Sequence, residues 1–273
     1  MKFTLNLNKK EFSMSKTVSK FALVAGFVLA MALTFSCSLP DDDGGSSSSG
    51  GGGGNQPSSS SNAVNLSSSS DAVPVGPVSY GGQTYRTVRI GTQTWFAENL
   101  NYAGEDAGNP IGTCYGSDDP ADCVAYGRLY NWSTAMGLSD DCNSNNCAGR
   151  IRLKHKGICP EGWHIPSNDE WLTLVNFVGS YDAGTKLKSA IGWNNGNGTD
   201  DYGFSALPGG FGYWGAFRDI LSFGYVGLRG VWWTTSEAGI GAAFRIRMEN
   251  SENGVDFWDN DKLNLLSIRC LKD

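Results

Sequence analysis

The sequence predicts an α+β domain: antiparallel sheet carrying two or three helices and long loops, behind an export leader. Three observations carry that expectation. A hairpin pattern lies near residue 84, a strongly signalled helix begins at Ser167, and after Trp193 short aromatic segments alternate with Gly, Asn and Asp turns without helical periodicity.

The hairpin comes first. Residues 84–90, Thr-Tyr-Arg-Thr-Val-Arg-Ile, are rich in β-formers; Gly91-Thr92 then offers a two-residue turn, and residues 93–97 return. Leu129, Trp132, Ala135 and Met136 recur at helical spacing, which predicts a helix over 126–136. Ser167 followed three residues later by Glu170 is a capping box, opening an apolar helix over 171–178; a second short helix is expected over 183–190. Strands are expected over 202–207, 211–217, 231–236, 243–249, 255–258 and 265–271, and no internal repeat is visible.

Ahead of this domain the chain has two further parts. Residues 1–36 read as an export signal. Lys2, Lys9, Lys10, Lys16 and Lys20 precede an apolar run over 21–35, shorter than the ~20 residues that span a bilayer as a helix. The run leads to Leu33-Thr34-Phe35-Ser36-Cys37, which resembles a bacterial lipoprotein signal with Cys37 lipidated; cleavage after Ala30-Met31-Ala32 is the alternative. Residues 37–77 then read as a tether of Gly and Ser runs with almost nothing apolar to bury, too little to offset the entropy of ordering them. Asp41, Asp42 and Asp43, just past the cysteine, resemble the acidic stretch of surface-displayed lipoproteins. The folded domain is expected over 78–273.

Charge is unevenly placed. The chain holds 21 Lys and Arg and 27 Asp and Glu; residues 1–36 take five of the former and one of the latter, which leaves 16 basic and 26 acidic residues in the exported part. An acidic, exported body excludes nucleic acid as the expected partner, because phosphate recognition needs clustered Lys and Arg. Composition likewise excludes collagen, coiled coil and a multi-span membrane protein. Six cysteines remain after Cys37, an even number suited to an oxidising compartment.

Several stretches together resemble the Fibrobacter succinogenes major paralogous domain. They are residues 84–100, ending Trp95-Phe96-Ala97-Glu98-Asn99-Leu100; residues 114–130, with Asp119-Pro120-Ala121-Asp122-Cys123 and Tyr126-Gly127-Arg128-Leu129-Tyr130; Cys159-Pro160-Glu161-Gly162-Trp163-His164-Ile165-Pro166-Ser167; Tyr202-Gly203-Phe204-Ser205-Ala206-Leu207-Pro208-Gly209-Gly210; and Ile268-Arg269-Cys270. That family is similar in turn to the C-type lectin-like fold, also seen in formylglycine-generating enzymes. The resemblance implies a lectin-like, disulfide-stapled exported domain, and it implies no mechanism.

Six cysteines allow fifteen pairings. Sequence proximity favours Cys114–Cys123 and Cys142–Cys147; Cys159 and Cys270 remain, and their bridge would match the way lectin-like domains tie their ends together. With no CxxC pair and two histidines, zinc has too few ligands. Formylglycine-generating enzymes use a reactive cysteine pair, and six bridged cysteines leave none for that role.

Candidate binding residues follow. Trp258-Asp259-Asn260-Asp261 resembles the calcium and sugar segment of C-type lectins, since closely placed oxygens are what Ca²⁺ requires; the same residues also suit a polar turn between strands. If the domain takes a cofactor, calcium is the expected one, here or in the oxygen-rich loop 194–201. His164 is expected to be a satisfied, partly buried histidine, and His155 to lie in a small basic patch with Arg150, Arg152, Lys154 and Lys156. Among Tyr213, Trp214, Tyr225, Trp232, Trp233 and Trp258 most rings are expected in the core; Trp214 and Trp258, beside turn residues, are expected at the surface, where rings stack on sugars. No G-x-S-x-G elbow or H-E-x-x-H motif is present. The resulting expectation is a non-enzymatic binding or adhesion module, held by a lipid anchor in the cell envelope, on the outer membrane or cell surface. Its expected ligand is a polysaccharide or a surface protein. The alternative is a formylglycine-generating or hydrolytic enzyme.

Overall fold

The first sheet grows from a local pairing. Strand β2 (Gln83–Ile90) turns through Gly91-Thr92 into β3 (Gln93–Phe96), pairing Thr87 with Phe96 and Ile90 with Gln93, the hairpin read from the sequence. Gly91 has φ +58°, a left-handed conformation that glycine adopts without a Cβ clash. A computed structural model describes residues 72–105, 108–196, 198–215, 217 and 221–273. The expected signal, Cys37 and most of the expected tether lie outside the described residues.

Strand β1 (Ala72–Tyr80) lies antiparallel on β2 and starts six residues ahead of the expected boundary at 78. Pro74 and Pro77 mask it in the sequence, and both are tolerated because β1 is an edge strand. The sheet runs β1-β2-β3-β10-β4, where β4 is Trp163–His164 and β10 is Leu271–Lys272. The C-terminal strand therefore sits between two elements far ahead of it in the chain.

The predicted helix over 126–136 is helical only at 126, where a preceding helix ends, and at 132–136. Helix α1 (Tyr115–Asp118) leads into α2 (Pro120–Tyr126), which has Pro at its first turn and Asp119 as N-cap, and it stops at Gly127. Gly127 has φ +78°, and a Cβ there would lie 2.7 Å from Asn99 Cβ and 3.0 Å from the carbonyls of Asn99 and Leu100. The chain is forced out of the helix by that close approach. Leu129 and Tyr130 form isolated bridges to Thr113 and Leu266, and α3 (Trp132–Met136) restarts under the Asn131 cap.

Helix α4 (Asn168–Val178) has the predicted capping box: Ser167 Oγ accepts from the Glu170 amide, and Glu170 Oε2 accepts from the Ser167 amide at 2.8 Å. It buries Trp171, Leu174, Val175 and Val178, and α5 (Ala183–Leu187) follows.

The second sheet runs β6-β5-β7-β8-β9, with β5 Gly209–Trp214, β6 Leu221–Val226, β7 Arg229–Gly239, β8 Ala242–Glu249 and β9 Asp256–Asp261. Four of these match expected segments, and β6 was not expected. Residues 202–207, expected as a strand, form a loop with one bridge from Ala206 to Lys188, and 265–271 makes only isolated bridges before β10. Both segments serve Arg269. That residue is fully buried, donates to the carbonyls of Phe96, Phe204 and Ser205 and to Asn99 Oδ1, and lies 4.4 Å over the Phe204 ring. The Phe204 and Ser205 carbonyls turn inward to reach it, which a regular ladder over 202–207 would prevent.

Two apolar clusters fill the domain. One gathers Trp95, Trp171, Phe204 and Trp232, with Trp171 ring centroids 4.8 Å from Trp95 and 5.9 Å from Trp232. The other gathers Phe96, Tyr130, Trp132, Trp163 and Trp233 with Cys142, Cys147, Cys159 and Cys270. The three disulfides are Cys114–Cys123, Cys142–Cys147 and Cys159–Cys270, the pairing expected from the sequence. The last joins residues 111 positions apart, and closing a loop of that length is worth about 4–5 kcal/mol in the chain-entropy model.

Candidate binding face

Strand β8 alternates two kinds of side chain. Ile246 and Met248 are buried in the Trp171 cluster, while Arg245 and Arg247 point to the other face. Register extends that face across the sheet: Trp233 pairs with Arg245, Val231 with Arg247, Arg245 with Trp258 and Arg247 with Asp256. Trp233 and Val231 are buried under the other cluster, so the face emerges from the core at Arg245 and ends at Trp258, which is 67% exposed.

An open cleft of about 490 Å³ lies here, lined by Arg245, Arg247, Val255, Asp256, Phe257 and Trp258. Its charges are not evenly matched. Arg247 pairs with Asp256, with Glu249 at 2.8 Å and with Glu252 at 3.5 Å; burial works against its charge, but those carboxylates hold its guanidinium above the ordinary arginine value. Arg229 pairs with Glu249 at 3.1 Å and stacks 4.1 Å over the Tyr225 ring. The Arg245 side chain makes no hydrogen bond or ion pair among the described residues, and its Nη1 is shut off from solvent without an acceptor. Burial and the like charges of Arg247 and Arg229 push its guanidinium down, against Asp256 and Asp259.

Beyond Arg229 the same face continues as an aromatic row. Tyr225 stacks on Phe211 with centroids 5.2 Å apart and planes 3° from parallel, and Tyr213 lies 5.6 Å from Phe211. Tyr225 has φ +70°, a conformation costing about 1–3 kcal/mol for a non-glycine residue, held by this stack and by Arg229.

The sequence-predicted residues divide. Trp214 and Trp258 are both exposed, at 37% and 67%, while Trp232 and Trp233 are fully buried. The structure does not bring Trp214 and Trp258 together. Two strands separate β5 from β9, and Trp214 alternates with Phe211 and Tyr213, so it leaves the opposite face, pinned by its Nε1 donating to Leu263 O at 3.1 Å.

Asp259, Asn260 and Asp261 are part of β9, a correction to the expected polar turn. Asn260 Oδ1 accepts from the Asp261 amide at 2.9 Å and from Asn264 Nδ2 at 2.7 Å, and Asp261 Oδ1 accepts from the Leu263 amide at 3.0 Å. These oxygens shape the turn into residue 263. The next residue, Lys262, brings a buried ammonium to within 3.1 Å of Cys142 O, 3.2 Å of Asn145 O and 2.5 Å of Glu237 Oε1. In the loop 194–201, Asp200 accepts from the Ser205 amide and hydroxyl. Among the described residues the grouping with metal-ligand spacing is Asp141 with Cys142 and Cys147, whose sulfurs are joined in a disulfide.

Histidine 164 is fully buried, between Asp273 Oδ1 at 2.7 Å from Nδ1 and Glu170 Oε1 at 3.0 Å from Nε2. His155 Nε2 lies 2.8 Å from Met136 O. Arg245 and Arg247 were missed by sequence reasoning. Their signal is the alternation in Phe244-Arg245-Ile246-Arg247-Met248, which marks a strand with one basic face, but the pairing with Trp258 is a matter of register.

A disulfide-stapled α+β domain with two five-stranded sheets is thus defined, of the kind that folds in an oxidising compartment. The chain belongs to the Fibrobacter succinogenes major domain family, whose pattern matches residues 88–272. No curated protein and no solved structure matches it. Among the described residues no helix is long and apolar enough to cross a membrane.

Proposed function

We propose that the chain is an exported, non-enzymatic binding module of lectin-like fold, lipid-anchored through Cys37 in the outer membrane, that presents the Trp258 face of its second sheet to a glycan. One observation carries this reading: a largely exposed indole borders an open cleft beside a guanidinium without a protein partner. An exposed ring offers a flat apolar surface to the C–H face of a sugar, and an unpaired donor group offers orientation. The lipoprotein-like signal and the Gly/Ser tether support display away from a membrane, since several buried acyl chains hold firmly. The bridged cysteines support binding rather than the thiol chemistry of a formylglycine-generating enzyme, because all six enter disulfides.

The test is a glycan array together with pull-down on insoluble cell-wall polysaccharides, each run with and without a calcium chelator. Retention on at least one polysaccharide is expected, unchanged by the chelator because Asn260 Oδ1 and Asp261 Oδ1 already accept hydrogen bonds from the chain itself. Retention on none would sink the reading.

A further inference from the structure

Resting on that glycan-binding reading, we infer that the cleft selects a carboxylate-bearing sugar, a uronic acid residue of a polysaccharide, with the sugar ring on Trp258 and its carboxylate on Arg245. The cleft holds two arginines, Arg245 and Arg247, and a third, Arg229, stands near it; their situations differ. Arg229 and Arg247 are matched: Arg229 by Glu249 and the Tyr225 ring, Arg247 by Asp256, Glu249 and Glu252. The Arg245 side chain, opposite Trp258, has no carboxylate in ion-pair contact among the described residues; Arg247 and Arg229 repel it, Asp256 and Asp259 attract it from further off, and its Nη1 is buried without an acceptor. A partly buried cation with no carboxylate in contact favours an anion supplied from outside, because the cost of desolvating the guanidinium is already met in the free protein.

Geometry narrows the anion. Arg245 and Trp258 are directly opposed across β8 and β9, a relation that sets Cβ atoms roughly 4.5–5.5 Å apart. A ligand bound by both must present an anionic group within one ring's width of a flat apolar face. A uronic acid does so: its carboxylate is carried on the carbon next to the ring, and its ring face is apolar. The planar carboxylate also matches the fork of a guanidinium, which a rounder ammonium does not reproduce.

The experiment is affinity gel electrophoresis of the full chain in gels containing polygalacturonate, the same polymer with its carboxylates methyl-esterified, a neutral galactan, or polyglutamate. Polygalacturonate is expected to retard the protein and esterification to weaken binding ~10–100-fold, the range for losing one charged contact. Arg245→Gln is expected to lose the same factor on polygalacturonate and so to erase the difference between the acidic and esterified polymers; Arg245→Lys should fall between. The esterified arm needs no variant, so a misfolded Arg245→Gln does not rescue the inference. Equal binding to the acidic and esterified polymers overturns the inference and leaves glycan binding standing. Binding to none of the three glycans overturns both. Retardation by polyglutamate as strong as by polygalacturonate, with no binding to the uncharged polymers, overturns the sugar assignment in favour of an acidic protein partner.

Discussion

Lys262 shows what a single side chain can replace. Its ammonium is fully buried, bonded to Glu237 and to the carbonyls of Cys142 and Asn145, and it lies 4.3 Å over the Trp132 ring. Two backbone carbonyls and a carboxylate converging on one point form the donor set that a bound cation elsewhere would satisfy. Here the cation is covalently part of the chain, and it ties the Cys142–Cys147 loop to β7 and to the strand end at β9. Removing it leaves Glu237 buried without a counterion, held only by the Cys147 amide. Lys262→Met is therefore expected to lower the unfolding free energy by about 3–5 kcal/mol, and adding Glu237→Gln should recover part of that. Denaturant melts of the two variants check this, and a loss under ~1 kcal/mol for the single variant would contradict it. The sequence did not show this site, because Lys262 follows three polar residues and reads as surface. Only the long-range return of β9 against the loop at 142–147 buries it.

At the scale of elements, what was legible was what is local. The hairpin at Gly91-Thr92, the Ser167–Glu170 box and the two short disulfide loops are each decided within about ten residues, where turn chemistry and capping act directly. The helix across 126–136 was misread because its apolar spacing is real while the close approach at Gly127, which breaks it, involves Asn99 and Leu100, far back in the chain. His164 joins three such distant elements, β4, β10 and the start of α4. Burial alone would lower its pKa, but hydrogen bonds to Glu170 and Asp273 and their charges outweigh it and hold the imidazole above its ordinary 6.5. Glu170 moves the other way: burial would raise it, and the bonds from His164 and Ser167 hold it below 4.5. A raised histidine adds stability that is fully present below 6.5 and lost as pH rises through its folded value; a lowered glutamate adds stability present above 4.5 and lost as pH falls through its own. Thermal melts of the wild type and His164→Gln across pH 4–9 should differ most between those limits, with the gap narrowing toward alkaline pH. Asp273→Asn, which keeps the histidine, should weaken the same dependence. A gap that is constant or widens above pH 7 would contradict the clamp.

The whole domain combines a stapled body with one open face. Cys159–Cys270 joins the lead into β4 and α4 to the last strand, while the aromatic and arginine row on the second sheet rises out of a packed cluster at Val231 and Trp233. Rigid support below and exposure above suit recognition, because little ordering entropy remains to be lost on contact. Trp214 provides an internal control, an exposed indole on the same sheet but on the opposite face. The most direct measurement is therefore side-by-side retardation of Trp258→Ala and Trp214→Ala in a gel containing the polysaccharide that retains the wild type, with melts confirming that both variants are folded. Binding should fall at least ~10-fold for Trp258→Ala, in line with the loss of a hot-spot aromatic, and stay near wild type for Trp214→Ala. Undiminished retardation of Trp258→Ala, or a loss confined to Trp214→Ala, would contradict the assignment of the binding face.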